Sequence, residues 1–225
     1  MAENLGNVLP VYVVADESAS MTPVVGELNA GLAALHQALL REPMAAAKVR
    51  FTILGFASDA QVRLSLADLR EESALPTLTT RSSTCYGEAF QALLDRLPDD
   101  VATLKSQGYA VYRPAVFFLT DGQPTDDPAW RDVYRKLTDR ETNRAAPNII
   151  ACGIGEARAG TILDIASRPE FAFVATPGTE LGLAIAEFSV ALTKSIVASA
   201  RAAADDKAEL VVERPDSFVM AVDVV

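Results

Sequence analysis

The sequence predicts an α/β fold: a doubly wound, mostly parallel sheet with one antiparallel edge strand and helices on both faces. Short apolar runs alternate with helix-like segments about five times along 225 residues, half of which are hydrophobic. Such alternation favours parallel strands joined by crossover helices. Two of the most apolar runs end abruptly at an aspartate, where an α/β sheet presents its binding crevice.

The first strand and helix are clear in the pattern. Residues 11–15 (VYVVA) form a buried-strand run that ends at Asp16. A helix is predicted over 22–41, where Thr22 can cap the first turn and Pro23 suits it. Leucines recur at helical spacing along one face, at Leu28, Leu32, Leu35 and Leu39.

The next segments predict a hairpin followed by helices. Residues 48–57 and 60–66 alternate as strands do, with a tight turn between them, and the second is assigned to the antiparallel edge. A helix over 87–97 is expected to stop at Pro98, and a further helix over 99–107 to follow it.

The second half continues the alternation of strands and helices. Strands are predicted at 114–120, 148–153 and 170–175, and helices at 128–143, 159–167 and 179–200. The main domain is assigned to 8–200, and the acidic stretch 201–225 to an extension that could add a strand, cover an edge or dock on a partner.

Charge and composition narrow the range of functions. A formal charge of −10 repels phosphate backbones and disfavours nucleic acid as a partner. Cys85 and Cys152 stand alone, and the single histidine, His36, has no metal-ligating companions, so zinc is disfavoured. Without a signal-peptide pattern or an uninterrupted apolar span, we expect a cytoplasmic protein that does not insert in membranes.

A constellation of oxygen-bearing side chains indicates a metal site. Asp16, Ser18 and Ser20 form a D-x-S-x-S pattern directly after the first strand. Thr84 precedes a helix, and Asp121 ends the strand at 114–120 and is followed by a glycine. Hard oxygens suit Mg²⁺, with Mn²⁺ or Ca²⁺ as alternatives. Because hydroxyls carry no charge, such a site leaves the ion attracted to a carboxylate from outside.

These motifs resemble those of von Willebrand factor type A domains. D-x-S-x-S after the first strand, T-x-x-G at Thr84 and a strand ending in TDG together resemble the metal-ion-dependent adhesion site of that family, over roughly residues 8–200. The resemblance implies that Asp16, Ser18, Ser20, Thr84 and Asp121 hold a divalent ion, and that a protein partner completes its coordination with an acidic residue. Ser82-Ser83 departs from the glycine-rich pair that often precedes the threonine.

Longer strings resemble the TerY subgroup of tellurium-resistance-associated proteins. They are LPVYVVADESASM, NAGL, LTDGQPTDDPAW and NIIACGIG. This likeness implies a scaffold or regulator in tellurite or general stress response, with phosphatase or kinase partners.

Two other functions remain open from the sequence. A Mg²⁺-dependent phosphohydrolase of the haloacid dehalogenase type would also place an aspartate after the first strand, but it needs a second one where Ser18 stands. A type A partner of an AAA-type ATPase is the other alternative. Among neighbouring residues, Asp126 and Asp127 are expected to cap the helix at 128–143, and Glu17 to be solvated.

Overall fold

A single eight-stranded sheet organises the chain, and the computed structural model describes residues 5–205, 207 and 209–224. The strands are β1 (Asn7–Asp16), β2 (Val49–Phe56), β3 (Ala60–Ala67), β4 (Ala110–Val111), β5 (Ala115–Thr120), β6 (Asn148–Gly153), β7 (Ala172–Ala175) and β8 (Phe218–Met220). The helices are α1 (Val25–Leu40), α2 (Pro43–Ala46), α3 (Tyr86–Ser106), α4 (Trp130–Thr138), α5 (Ala159–Ile165) and α6 (Leu181–Ala204).

The strand order explains where a ligand can bind. The sheet runs β3-β2-β1-β5-β6-β7-β8, with the short β4 beside the start of β1. The pairs β1–β2, β1–β5, β5–β6 and β6–β7 are parallel. The chain leaves β1 toward β2 on one side and later returns to its other side as β5. Such a reversal of strand order opens a crevice at the carboxyl ends of the strands.

The predicted fold class is confirmed, and the sheet has one more antiparallel strand than expected. β3 pairs antiparallel with β2, as the hairpin predicted. β8 pairs antiparallel with β7 at the opposite edge, so the residues after α6 return to the sheet. Side chains of α6 hold this returning segment: Ser199 Oγ accepts from Val211 N–H at 2.9 Å, and Ser195 Oγ from Glu213 N–H at 2.9 Å.

Pro98 does not divide the helix that contains it. α3 runs unbroken through this exposed proline, whereas the sequence pattern predicted a stop there. A proline inside a helix costs about 3 kcal/mol. Burial of Leu93, Leu97 and Leu104 on both sides of it offsets that cost. On the same helix, Asp100 accepts a hydrogen bond from the Tyr12 hydroxyl at 2.8 Å, which ties α3 to β1.

α6 is the one helix among the described residues that is long and apolar enough to cross a membrane. Its buried side, which includes Ile185, Phe188, Leu192 and Ile196, belongs to the core that the sheet and α1 share. Core helices of globular domains pass the same test of length and composition. The packing of α6 accounts for the apolar residues on its buried side, whereas Leu183 and Val190 are exposed.

Candidate metal-binding site

The two carboxylates of the predicted site lie at the ends of neighbouring strands. Asp16 is the last residue of β1, and Asp121 directly follows the last residue of β5. β1 and β5 are parallel and in register, with Ala15 opposite Leu119. The sheet alone therefore brings the two aspartates to the same edge.

Hydrogen bonds connect four of the five predicted ligands into one network. The Ser18 N–H donates to Asp16 Oδ1 at 2.8 Å. The hydroxyls of Ser18 and Ser20 are 3.0 Å apart, and the Ser20 hydroxyl donates to Asp121 Oδ1 at 2.8 Å. Asp16 and Ser18 are buried, whereas Ser20 is exposed, so the network opens to solvent on its serine side.

Thr84, the fifth predicted ligand, lies beside this network on a separate loop. A β-carbon built on Gly122 would be 4.0 Å from Thr84 Oγ1, which places this hydroxyl next to the Asp121 loop. The Thr84 carbonyl accepts from the Thr125 N–H at 2.8 Å. All five residues are thus adjacent at the carboxyl edge of the sheet.

Thr120 and Tyr86 hold Asp16 from below, and the sequence motifs did not single out either residue. The Thr120 hydroxyl donates to Asp16 Oδ2 at 2.7 Å. The Tyr86 hydroxyl lies 3.2 Å from Thr120 Oγ1 and 3.0 Å from the Gly122 carbonyl oxygen, and it can donate to either. The hydroxyl in the TDG string is the sequence signal that could have identified Thr120.

The aspartates of this site have neutral partners rather than cationic ones. Asp16 Oδ1 accepts a hydrogen bond from the Ser18 N–H, and Asp16 Oδ2 accepts one from the Thr120 hydroxyl. Asp121 accepts a hydrogen bond from the Ser20 hydroxyl. Burial raises the pKa of Asp16, and burial likewise raises the pKa of Asp121. A positive ion at this edge would favour the ionised form of both side chains.

Glu17 was predicted to be solvated, and this is wrong. Its side chain is fully buried, and its Oε2 lies 2.9 Å from both Arg63 Nη2 and Arg81 Nε. The Thr79 N–H donates to its other oxygen at 3.2 Å. A buried carboxylate needs such partners, which neighbouring residues in the sequence do not reveal. Through Arg81, the ion cluster fastens the loop that carries Thr84.

Asp126 and Asp127 do not cap the helix that follows them, contrary to the prediction. α4 begins at Trp130, and its N-cap residue, Ala129, makes no side-chain cap bond. Asp126 instead caps α3: its oxygens accept from the Tyr86 N–H at 3.1 Å and the Gly87 N–H at 2.7 Å. This bridge joins the loop after Asp121 to the helix that directly follows Thr84.

The donor set suits a hard divalent cation. Five side chains present only carboxylate and hydroxyl oxygens, which Mg²⁺, Mn²⁺ and Ca²⁺ prefer. Within the described part of the chain, no three His, Cys, Asp or Glu side chains are grouped closely enough to share a metal. The hydroxyls are therefore essential to any ion binding at this edge.

Comparison with known proteins agrees with the fold. The family model for the von Willebrand factor type A domain matches residues 11–186. No functionally curated protein matches the sequence. Several solved structures share the fold at low sequence identity.

The pilus adhesin SpaC from Lactobacillus rhamnosus GG aligns with a TM-score of 0.64 and 14% identity, over 87% of this chain and 31% of that one. Proximal thread matrix protein 1 from the mussel byssus has a TM-score of 0.51 and 15% identity, over 87% and 46%. A von Willebrand factor type A protein from Catenulispora acidiphila has a TM-score of 0.52 and 16% identity, over 85% and 43%.

This chain therefore spans less than half the length of the structures it resembles, and identities this low show a shared fold alone. The family model covers more than three-quarters of the chain. The chain belongs to the von Willebrand factor type A domain family.

Proposed function

We propose that this protein is a non-catalytic, metal-dependent protein-binding module. Type A domains generally mediate protein interactions and can bind a divalent cation at their adhesion site. In this chain Asp16, Ser18, Ser20, Thr84 and Asp121 would hold the ion. Mg²⁺ is the proposed bound ion, since it prefers hard oxygen ligands such as these, and Mn²⁺ or Ca²⁺ could replace it.

The observation that carries the proposal is the mixture of donors in one network. Two carboxylates lie at its buried end, and the hydroxyl of Ser20 lies at its exposed end. An ion that is contacted from the solvent side by uncharged hydroxyls keeps positive charge facing outward. A carboxylate from a partner protein would be attracted to that face, which is why we propose an acidic residue as the partner's contribution.

The residues around Asp16 disfavour a phosphohydrolase. An aspartate nucleophile needs a general acid or base beside it, but the hydrogen-bond partners of Asp16 are the Ser18 N–H and the Thr120 hydroxyl. The second acidic group that haloacid dehalogenase chemistry requires is replaced by Ser18. We therefore assign Asp16 to ion binding rather than to catalysis.

The finer assignment rests on sequence strings alone. TerY-like features support a role as scaffold or regulator in tellurite or general stress response in the cytoplasm, with phosphatase or kinase partners. An AAA-type ATPase partner is the competing assignment. Affinity capture of candidates encoded beside this gene, in Mg²⁺ and in EDTA, would distinguish them, since each predicts a different metal-dependent partner.

The metal site itself is tested by measuring Mn²⁺ binding, with electron paramagnetic resonance used to determine how much of the ion remains free. The double variant Ser18→Ala/Ser20→Ala removes two hydroxyls and leaves both aspartates of the site in place. We expect its Mn²⁺ affinity to fall at least tenfold. EDTA should abolish partner capture by the wild type, and the double variant should fail to capture in either condition.

A matched control is available a short distance away. The hydroxyls of Ser58 and Ser82 also lie 3.0 Å apart, on exposed loops. Ser58→Ala/Ser82→Ala therefore removes an equivalent pair and should bind Mn²⁺ as the wild type does. Equal affinities for all three proteins would show that the serines do not hold the ion.

A further inference from the structure

A basic cavity lies at the end of the sheet opposite the metal site. It measures about 270 Å³ and is lined by Leu9 near the start of β1, Arg113 before β5, Asn148 at the start of β6, and Ser199 and Ala203 on α6. These positions are the amino ends of the parallel strands. The cavity is therefore separate from the carboxyl edge, where Asp16 and Asp121 lie.

Positive charge is concentrated around this cavity, although the whole chain carries −10. Its described lining includes four cationic side chains and one acidic one, namely Arg113, Arg140, Arg168, Lys207 and Glu209. Arg113, Arg140 and Lys207 are exposed, so solvent screens part of the repulsion among these cations, and a bound anion would offset more of it. In a chain with an excess of acids, this local surplus needs a physical explanation.

The two central arginines are fixed by neutral groups rather than by carboxylates. Arg113 donates to the Ala146 carbonyl, and Arg140 donates to Asn148 Oδ1 at 3.0 Å. Neither has an ion-pair partner among the described residues. Their guanidinium groups are therefore held in position while their charge stays available.

Two further observations agree with uncompensated charge. Burial lowers the pKa of Arg113, and the neighbouring charge of Arg140 lowers that pKa further. Arg168 lies 3.8 Å from Glu170, but both side chains are more than half exposed, so this pair offsets little of its charge. A negatively charged ligand would relieve the repulsion between Arg113 and Arg140.

We propose that this cavity binds a compact, phosphate-bearing anion, with Arg113 and Arg140 as its principal donors. The planar guanidinium fork matches the geometry of a phosphate, to which it can donate two parallel hydrogen bonds. A small anion fits a cavity of about 270 Å³, whereas an extended polyanion would be repelled by a chain with a net charge of −10. Tyr112 and Leu210 supply an apolar wall that could pack against an organic portion of the ligand.

Isothermal titration calorimetry with three probes tests the proposal: inorganic phosphate, pyrophosphate and adenosine diphosphate. All titrations contain EDTA, so an ion at the metal site cannot capture the probe. We expect saturable binding of pyrophosphate at one site. Tighter binding of adenosine diphosphate would identify the source as a nucleotide, and equal binding would identify the phosphate groups alone as the ligand.

Variants then locate the binding. Arg113→Gln/Arg140→Gln should weaken pyrophosphate binding by at least roughly tenfold, since hydrogen bonds to charged groups are lost. Arg41→Gln/Arg158→Gln removes the same charge from exposed positions outside the cavity and should change the affinity less than twofold. If the double variant fails to fold, Arg168→Gln, at an exposed position, replaces it as the test and should also weaken pyrophosphate binding. Absence of saturable binding by the wild type, or an equal loss in the control, would overturn the proposal.

Discussion

Two adjacent carboxylates, Asp16 and Glu17, are both fully buried, but their hydrogen-bond partners differ in charge. Asp16 is surrounded by hydroxyls and a backbone N–H, with no cationic partner among the described residues. Glu17 is bound by the guanidinium groups of Arg63 and Arg81. One buried carboxylate is therefore compensated by cations of the chain, whereas the other has only neutral hydrogen-bond donors among the described residues.

The difference separates a structural carboxylate, Glu17, from the carboxylate that we propose to bind an ion, Asp16. Glu17 belongs to an ion cluster that fastens three segments together: β1, β3 and the loop before Thr84. The neutral donors around Asp16 orient its oxygens without neutralising them, so the folded chain retains an attraction for a cation. Burial alone does not distinguish these roles, whereas the charge of the partners does.

The largest effect on stability is expected from removing the charge of Glu17, compared with removing the charge of Asp16 in a separate variant. Glu17→Gln leaves Arg63, which is 22% exposed, without its counterion, while Arg81 keeps only its pair with the exposed Asp59. Breaking a buried ion pair in this way should reduce the free energy of unfolding by about 3 kcal/mol. Asp16→Asn removes a charge with no counterion but replaces one hydrogen-bond acceptor with a donor, so it should cost about 1 to 2 kcal/mol, less than Glu17→Gln, while abolishing Mn²⁺ binding. Urea denaturation in EDTA measures both variants.

Glu141→Gln is the control for these substitutions, because Glu141 is exposed and its loss should leave the unfolding free energy unchanged. The comparison fails if Asp16→Asn proves more destabilising than Glu17→Gln in EDTA. It also fails if Glu17→Gln loses Mn²⁺ affinity to the same extent as Asp16→Asn without any loss of stability.

A smaller effect is expected at Gly55 on β2, where the Glu17 carboxylate lies against the backbone. A β-carbon added there would be 2.3 Å from Glu17 Cδ, so Gly55→Ala must displace the carboxylate from its arginines. We expect a loss of about 2 kcal/mol, typical of overpacking. In a Glu17→Ala background the obstacle is absent, and the same substitution should cost much less.

Gly26→Ala in α1 is the matched control, since nothing lies within 4 Å of the added carbon and alanine favours helices. Additive effects of Glu17→Ala and Gly55→Ala in thermal unfolding would contradict a direct contact between the two positions.

Local patterns predicted most of the fold, because the strands are short apolar runs and α1 has a regular apolar face. They did not predict the continuity of α3, since the penalty of Pro98 is offset by packing that only the folded chain shows. They also missed β8, a three-residue strand whose pairing depends on an existing edge. The pattern at 201–225 allowed an added strand without choosing it.

In the candidate metal site, too, local sequence patterns predicted some features, whereas contacts between distant residues were not predicted. Spacing in D-x-S-x-S and TDG placed Asp16 and Asp121 at strand ends, and the parallel register brings them together. The partners of Glu17 lie 46 and 64 residues away in sequence, so no local pattern could distinguish a buried Glu17 from a solvated one. Long-range ion pairing and cross-loop capping are the features that the sequence left hidden.

The smallest effect is expected from the other cross-loop contact, between Asp126 and the start of α3. Asp126→Ala removes the acceptor for the Tyr86 and Gly87 N–H groups, and the loss of an N-cap costs about 1 kcal/mol. Because α3 begins directly after Thr84, we also expect a modest loss of Mn²⁺ affinity, smaller than that of Ser18→Ala/Ser20→Ala. Asp132→Ala, which removes an exposed carboxylate from α4, should change neither quantity. A stability loss at Asp126 with unchanged Mn²⁺ affinity would show that Thr84 is positioned independently of this cap, by the Glu17 ion cluster and by backbone bonds such as that from the Thr125 N–H to the Thr84 carbonyl.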